Sequence, residues 1–307
     1  MKISLGQSYS FHQQGQRDYQ EDSRYPNTDK PTSKQRFFVV CDGVGGCEKG
    51  EVASQTVCDA IAKAMENVEY GIEFTNSDFS VVLDAAYDAL DKKADRSNRD
   101  MATTLTFAYF HEGGCTLAHI GDSRIYHFRK GKGIIYRSED HSLVNSMVHN
   151  GMITPDEGVN SSQKHIITRY MEPVDSDQNR CMATVLNTKD VRKGDYIMLC
   201  TDGVCNQVDD DEMADILFNS EMTDENKMSM IAQMCIDSDD NNTAILIPII
   251  DVVTDTKSAE PADSNEGTKK FPFSGESTIV EIESSQQQKG NRYLNWIKEI
   301  FNKKIQL

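Results

Sequence analysis

Aspartates recur in this sequence where apolar runs stop. Phe37-Phe38-Val39-Val40-Cys41 leads into Asp42-Gly43-Val44-Gly45-Gly46, and Ile197-Met198-Leu199-Cys200 leads into Thr201-Asp202-Gly203-Val204. The apolar run 115–120 ends in Gly121-Asp122-Ser123-Arg124, and Ser238-Asp239-Asp240-Asn241-Asn242 precedes the run 243–250. An acid at a strand end is held by rigid scaffold and still reaches a solvent cleft. A neighbouring glycine lets backbone approach an ion, so that its carbonyl becomes a ligand. Carboxylates gathered this way repel one another unless cations lie between them. The chemistry this pattern suits is therefore binding of a divalent cation through oxygen. One Asp-Gly after a strand is ordinarily a turn. Two of them after buried runs, with two further strand-end acids, make a metal site a reading of equal weight. No loop has the D-x-D-x-D-G pattern of an EF-hand.

These acids need elements to carry them. The segments 36–41, 103–110, 115–120, 124–128, 195–200 and 243–250 are short and rich in β-branched and aromatic residues, and are predicted as strands. Glu112-Gly113-Gly114 and Gly121-Asp122-Ser123 fit tight turns of an antiparallel meander. Over 51–68, Val52, Ala53, Val57, Ala60, Ile61, Ala64, Met65 and Val68 share one 3.6-period face. Over 78–97, Phe79, Val82, Leu83, Ala86, Leu90 and Ala94 do the same, so both segments are predicted helices. Strands followed by helices, rather than strict alternation, indicate an α+β fold.

Composition excludes several classes. The 307 residues carry 32 Lys and Arg against 49 Asp and Glu, a net charge of −17. A phosphate backbone is read first by positive charge, so no nucleic-acid partner is expected. The first residues lack the apolar stretch of a secretory signal, and no run is long enough to span a bilayer. Eight cysteines without a C-x-x-C pair read as buried or incidental thiols in a reducing cytoplasm. No zinc site is supported, and no C-x5-R loop of a cysteine phosphatase is present. Composition shifts near residue 254: the segment 254–307 holds eight acids and eight bases, so the whole −17 belongs to 1–253. The expected organisation is a catalytic domain over 1–253, a Ser/Glu/Gln-rich linker over 254–290 and a basic amphipathic helix over 291–307.

The motifs, in order, carry a family resemblance over about residues 6–250. Gly15-Gln16-Arg17-Asp18-Tyr19-Gln20-Glu21-Asp22, the segment 38–54 (FVVCDGVGGCEKGEVAS), Met101-Ala102-Thr103-Thr104-Leu105 and the segment 118–126 (AHIGDSRIY) come first. Asp140-His141-Ser142-Leu143-Val144, Ile167-Thr168-Arg169, Thr201-Asp202-Gly203 and Asp240-Asn241-Asn242-Thr243 follow. Together they resemble the metal-dependent serine/threonine protein phosphatases of the protein phosphatase 2C (PPM) family, in particular its compact bacterial members.

The resemblance implies a four-layer α-β-β-α sandwich, two stacked antiparallel sheets flanked by helices. It implies two Mn²⁺ or Mg²⁺ ions and a weaker third. Asp42 would bridge the pair, the Gly43 carbonyl would bind one ion, Asp202 and Asp240 the other, and Glu21 and Asp22 the outer edge. Asp122 with Asp202 would hold the third ion. Arg17 would grip the substrate phosphate, because a planar guanidinium bonds two phosphate oxygens at once. The implied activity is hydrolysis of phosphoserine or phosphothreonine in proteins by a metal-activated water, opposing a Ser/Thr kinase, in a cytoplasmic monomer. The alternative is a catalytically weak relative that binds phosphoproteins.

The departures are local. Gln20 stands for the usual Asn, and Cys47 for a common His. Met101 takes a place where Gly is frequent, and Tyr170-Met171-Glu172 replaces the usual flap sequence. Val44 lies where some relatives carry a His proposed as general acid, leaving a metal-bound water, His141 or another group for that role. Either Asp239 or Asp240 could be the ligand, and Asp240 is preferred because it directly precedes the Asn. Asp209-Asp210-Asp211-Glu212 reads as the start of a helix, where acids are favoured. The tail 292–307 carries a net charge of +3 and the only Trp. It could bind a partner groove, its own acidic domain or, less favourably, an anionic membrane surface.

Overall fold

The computed structural model describes residues 1–254 other than 48, 70–72, 95–98 and 175–179, all within the first of two compact units, Met1–Thr256. Apart from Thr254, the linker and basic helix expected from the sequence lie outside the described residues. In chain order the elements are β1 (Lys2–Leu5), β2 (Tyr9–Gln13), β3 (Ser23–Tyr25), β4 (Phe37–Cys41), α1 (Gly50–Met65) and α2 (Asn76–Lys93). There follow β5 (Leu105–His111), β6 (Gly114–Ile120), β7 (Arg124–Arg129), β8 (Gly133–Arg137), α3 (Leu143–His149) and α4 (Pro155–Val159). Last come β9 (Thr184–Thr188), β10 (Tyr196–Cys200), α5 (Asp202–Cys205), α6 (Asp210–Phe218), α7 (Asp224–Met234) and β11 (Asn242–Val253).

The pleat of β4 shows how the layers arise. Phe38 and Val40 point one way, into a core shared with Ile125, Ile197, Leu199, Ile245 and Ile247 of the opposite sheet. Phe37, Val39 and Cys41 point the other way, against Val57, Ile61 and Met65 of α1 and Phe79, Val82 and Leu90 of α2. Both faces are covered, so the strand reads as a continuous apolar run. Each such side chain contributes about 1.5–3 kcal/mol on burial. One sheet has the order β1-β11-β10-β7-β8, with β2 also on β11; the other has β3-β4-β5-β6-β9. All pairings between strands are antiparallel. On the far side of the first sheet α6 contacts β8 and α7 contacts β2. The two stacked antiparallel sheets flanked by helices are the sandwich expected from the resemblance.

Two local expectations need correction. The helix expected over 78–97 starts earlier and stops sooner. Thr75 caps α2 in a reciprocal box with Asp78, and Ala94 leaves the helix in an extended conformation. Past Leu90 no residue of α2 is buried, so packing stops favouring another turn. The expected meander also fails after its first hairpin. β5 pairs with β6, but β7 pairs with β8 and β10 in the other sheet. Gly121-Asp122-Ser123 is thus a crossover between sheets. Gly121 has φ +101, and a Cβ there would meet Thr104 Cβ at 2.8 Å. Gly121→Ala is expected to destabilise the protein by about 1–3 kcal/mol, read as a lower urea midpoint with an unchanged slope. Among the described residues no helix is long and apolar enough to cross a membrane.

Candidate metal centre

The strand register brings the acids together. Ser23 pairs with Cys41, which sets Asp22 beside Asp42 one residue on. Cys200 pairs with Arg124 on one side and Ala244 on the other. The crossover carrying Asp122, the segment carrying Asp202 and the approach to β11 carrying Asp240 therefore meet at one edge. The two Asp-Gly motifs are close contacts rather than simple turns. A Cβ at Gly43 would lie 2.5 Å from the Gly50 carbonyl carbon and 2.8 Å from the Glu21 oxygen. A Cβ at Gly203 would lie 2.0 Å from the Asn241 oxygen. Glycine is required at both because neighbouring backbone occupies the space a side chain would need.

Hydrogen bonds orient the acids. Asp22 is buried, and its Oδ2 accepts from Thr243 Oγ1 at 2.7 Å and Thr201 Oγ1 at 3.1 Å. Its Oδ1 is buried without a hydrogen-bond partner. The Asp42 amide donates to Thr104 Oγ1, and the Asp42 carbonyl accepts from the Thr104 amide and the Thr103 hydroxyl. Arg17 Nη2 donates to Asp240 Oδ2 at 2.8 Å, with the Arg17 side chain 43% exposed. Asn241 staples the loop that carries Arg17 and Glu21. Its Oδ1 accepts from the Glu21 amide at 2.8 Å, and its Nδ2 donates to the carbonyls of Gln14 at 2.8 Å and Tyr19 at 2.9 Å. Gln20 Oε1 accepts from the Asp22 amide, a bond to the loop itself. Sequence reasoning did not single out Asn241, Thr201 or Thr243 as positioning groups. Their adjacency to Asp240, Asp202 and the start of a strand was the available signal.

Crowding shows in the electrostatics. Burial first, then the charges of Asp22, Asp202, Asp122 and Asp240, hold the Asp42 carboxyl well above the usual carboxylate range. Burial pushes Asp22 up to about 7, against the Thr243 and Thr201 hydroxyls. Burial and then Asp202 push Asp122 up to about 7. Asp202 rises through burial and Asp240, and Glu21 rises through burial despite Arg17. The Arg17 guanidinium is held charged, its partial burial outweighed by Asp240, Glu21 and Asp42. Hard oxygen donors, mutual repulsion and a bare buried carboxylate oxygen all fit divalent cations. Among the described residues, however, no group of three or more His, Cys, Asp or Glu side chains stands close enough together to hold a metal ion as placed. The donor chemistry and the repulsion, rather than a finished coordination shell, carry the fit.

The other sequence candidates separate clearly. Asp239 is exposed, whereas Asp240 bonds Arg17 and acts on Asp42. His141 has both ring nitrogens occupied: Nδ1 accepts from the Gly121 amide and Nε2 lies 2.9 Å from Thr184 Oγ1. Burial first, then His119, pushes its pKa down to about 3, and the two rings stack at 4.5 Å. His141 therefore braces the crossover as a neutral ring. Asp209 caps α6 by accepting from the Glu212 amide, the helix-start role expected of that run. Burial, then Asp100, raises the Cys47 thiol to about 11, unlike a reactive thiol. Met101 is buried in the helix-facing core, and Met171 exchanges backbone bonds with Thr103.

Comparison with known proteins adds to this geometry. A family model described as Protein phosphatase 2C matches residues 20–234. The serine/threonine protein phosphatase PstP of Mycobacterium tuberculosis is 28% identical over 228 residues, covering 74% of this chain and 43% of its own length. The chain thus aligns with less than half of that relative. A putative protein phosphatase 2C-type protein of Streptococcus pyogenes is 30% identical over 209 residues, covering 64% of this chain and 78% of its own. The solved catalytic domain of PstP in complex with two manganese ions matches with a TM-score of 0.64 at 26% identity. That match covers 81% of this chain and all of the other.

Proposed function

Because this chain belongs to the protein phosphatase 2C family, we propose that it is a metal-dependent protein serine/threonine phosphatase. The observation that carries the reading is the mutually repelling cluster of Asp22, Asp42, Asp122, Asp202 and Asp240, with Asp22 buried and the other four half-buried, beside the half-exposed Arg17. Asp42, the Gly43 carbonyl, Asp202 and Asp240 would hold two Mn²⁺ or Mg²⁺ ions, with Glu21 and Asp22 at the edge. Asp122 and Asp202 would hold a weaker third. When bound, the cations lower the pKa of water toward neutrality and offset negative charge on the phosphoryl oxygens.

The chain's own residues do the rest. Arg17 presents its fork at the open side of the cluster and binds the phosphate, exchanging part of its bond to Asp240 for bonds to phosphate oxygens. Asn241 holds the Arg17 loop at fixed distance from the acids, which is the positioning that phosphoryl transfer depends on. Thr201 and Thr243 turn Asp22 so that Oδ1 faces away from their hydroxyls. His141 does not carry the leaving-group proton, since both its nitrogens are engaged. The proposed substrates are phosphorylated proteins, with a Ser/Thr kinase acting in opposition, in the cytoplasm, by a monomer. The basic tail is proposed to dock on a partner or on its own acidic domain, with a membrane surface the less favoured target.

Hydrolysis of a phosphothreonine peptide with Mn²⁺, with and without chelator, tests the reading. Metal-dependent turnover is the expected result. Its absence under every metal would point instead to a phosphoprotein-binding module. Arg17→Lys is expected to raise KM about tenfold or more, because an ammonium cannot bond two phosphate oxygens in one plane. An unchanged KM would remove Arg17 from phosphate binding.

A further inference from the structure

All eight cysteines are free thiols, but two of them sit on either side of Asp202 with their sulfurs 3.5 Å apart. These are Cys200 and Cys205. Cys200 ends β10 and is fully buried; Cys205 ends α5 and is half-buried. The Tyr126 hydroxyl lies 3.6 Å from Cys205 Sγ, and that thiol donates to the Thr201 carbonyl at 3.7 Å. Cys41 and Cys58 also interact, but both are buried in the helix-facing core, beyond reach of an oxidant. Among the described cysteines, the Cys200–Cys205 pair alone joins a close sulfur–sulfur contact to partial exposure.

We propose that Cys200 and Cys205 form a reversible oxidation site whose disulfide displaces Asp202 from the acidic cluster. The functional half of this inference rests on the phosphatase reading above. The sulfurs must close from 3.5 Å to about 2 Å. Cys200 is held in the sheet by its pairing with Arg124 and Ala244. Gly203 is held by the Asn241 backbone, which leaves no room for even a Cβ. The contraction therefore falls on Cys205 and its turn, which is tied back to the intervening residues. The Val204 amide and the Cys205 thiol both donate to the Thr201 carbonyl, and the Asn206 amide donates to the Asp202 carbonyl, so movement of Cys205 is passed to Thr201 and Asp202. Thr201 also holds Asp22, so the same strain reaches a second acid.

The chemistry balances with a peroxide as oxidant. The Cys205 sulfur attacks one peroxide oxygen, the O–O bond breaks, and a sulfenic acid and one water result. The Cys200 sulfur then displaces the hydroxyl, the S–S bond forms, and a second water leaves with the remaining proton. Two thiols lose two electrons in total, and the peroxide gains them. An external dithiol reverses the bond by thiol–disulfide exchange.

The full chain treated with hydrogen peroxide, alkylated and digested with trypsin should yield the peptide 194–227 two hydrogens lighter and unalkylated at both cysteines. Dithiothreitol should restore both thiols. Oxidised protein should bind Mn²⁺ about tenfold or more weakly and lose phosphothreonine-peptide turnover in step. Cys205→Ser should keep its Mn²⁺ affinity after peroxide. Full alkylation after peroxide, a link to the Cys235 peptide, or a disulfide with unchanged Mn²⁺ affinity would each overturn the proposal. Inactivity of the untreated chain would fail the phosphatase reading alone, since the mass shift reports the bond without turnover.

Discussion

Asp42→Asn is expected to abolish metal-dependent hydrolysis while making the metal-free protein more stable. Asparagine keeps the shape of the side chain and leaves the backbone bonds to Thr103 and Thr104 in place. What it removes is the charge that four other aspartates oppose. In chelator that relief is worth on the order of 1 kcal/mol, a rise in Tm of about 2–4 °C for a domain of this size. With Mn²⁺ the order reverses. Ligand at a hundredfold excess over Kd stabilises the native state by about 2.7 kcal/mol, and the variant forfeits much of that gain. Turnover should fall at least about a hundredfold, because the variant loses the charge of the residue proposed to hold the water-activating cation. Thermal melts with chelator and with Mn²⁺, run beside peptide hydrolysis, read all three effects. A variant less stable than wild type in chelator would mean the acids do not repel as described, and retained turnover would remove Asp42 from the site.

The site was legible because its acids flank short, continuously apolar strands. Runs such as 37–41 and 196–200 are buried on both faces and announce themselves by composition, and the acid that follows each is carried to the same edge. The ligand roles came only from the family resemblance and stand as proposals. What escaped was whatever depends on register between distant segments. β2 (YSFHQ) and β9 (TVLNT) are polar and short, held as strands by pairing with β11 and β6 rather than by their own propensity. The change of sheet at Gly121 could not be told from a hairpin, since both call for a glycine with positive φ. Asn241 looked like one motif letter, and its three bonds to residues 14–21 exist only once the chain ends of two segments meet.

A second large effect is expected far from the acids. Asp195→Ala should destabilise the protein by about 3–5 kcal/mol, lowering Tm by roughly 10 °C, with kcat at low temperature unchanged. Asp195 is buried and collects four bonds. Oδ2 accepts from Arg129 Nη2 at 2.7 Å, from His127 Nε2 at 2.8 Å and from the Arg192 amide at 2.8 Å, while Oδ1 accepts from Arg129 Nε at 2.9 Å. Removing the carboxylate leaves a buried guanidinium with only Asp190 and strands two further donors. Arg129 lies at the end of β7 away from Arg124, about 16 Å along the strand at about 3.3 Å per residue, so the metal-site acids are not disturbed. The network also sets an acid limit. Burial holds the His127 pKa below its ordinary value against the pull of Asp195. Burial alone would raise Asp195, but Arg129 and His127 outweigh it and hold it below the usual range. A depressed folded pKa stabilises above the unfolded value and loses that contribution as pH falls. The His127 contribution should therefore fade below about pH 6.5 and that of Asp195 below about pH 4. Urea midpoints measured from neutral to acid pH should fall in wild type and fall less steeply in Asp195→Ala below about pH 4, where the variant has no carboxylate left to protonate. Parallel curves for the two proteins would show that Asp195 is not the charge that holds this end of the sheet.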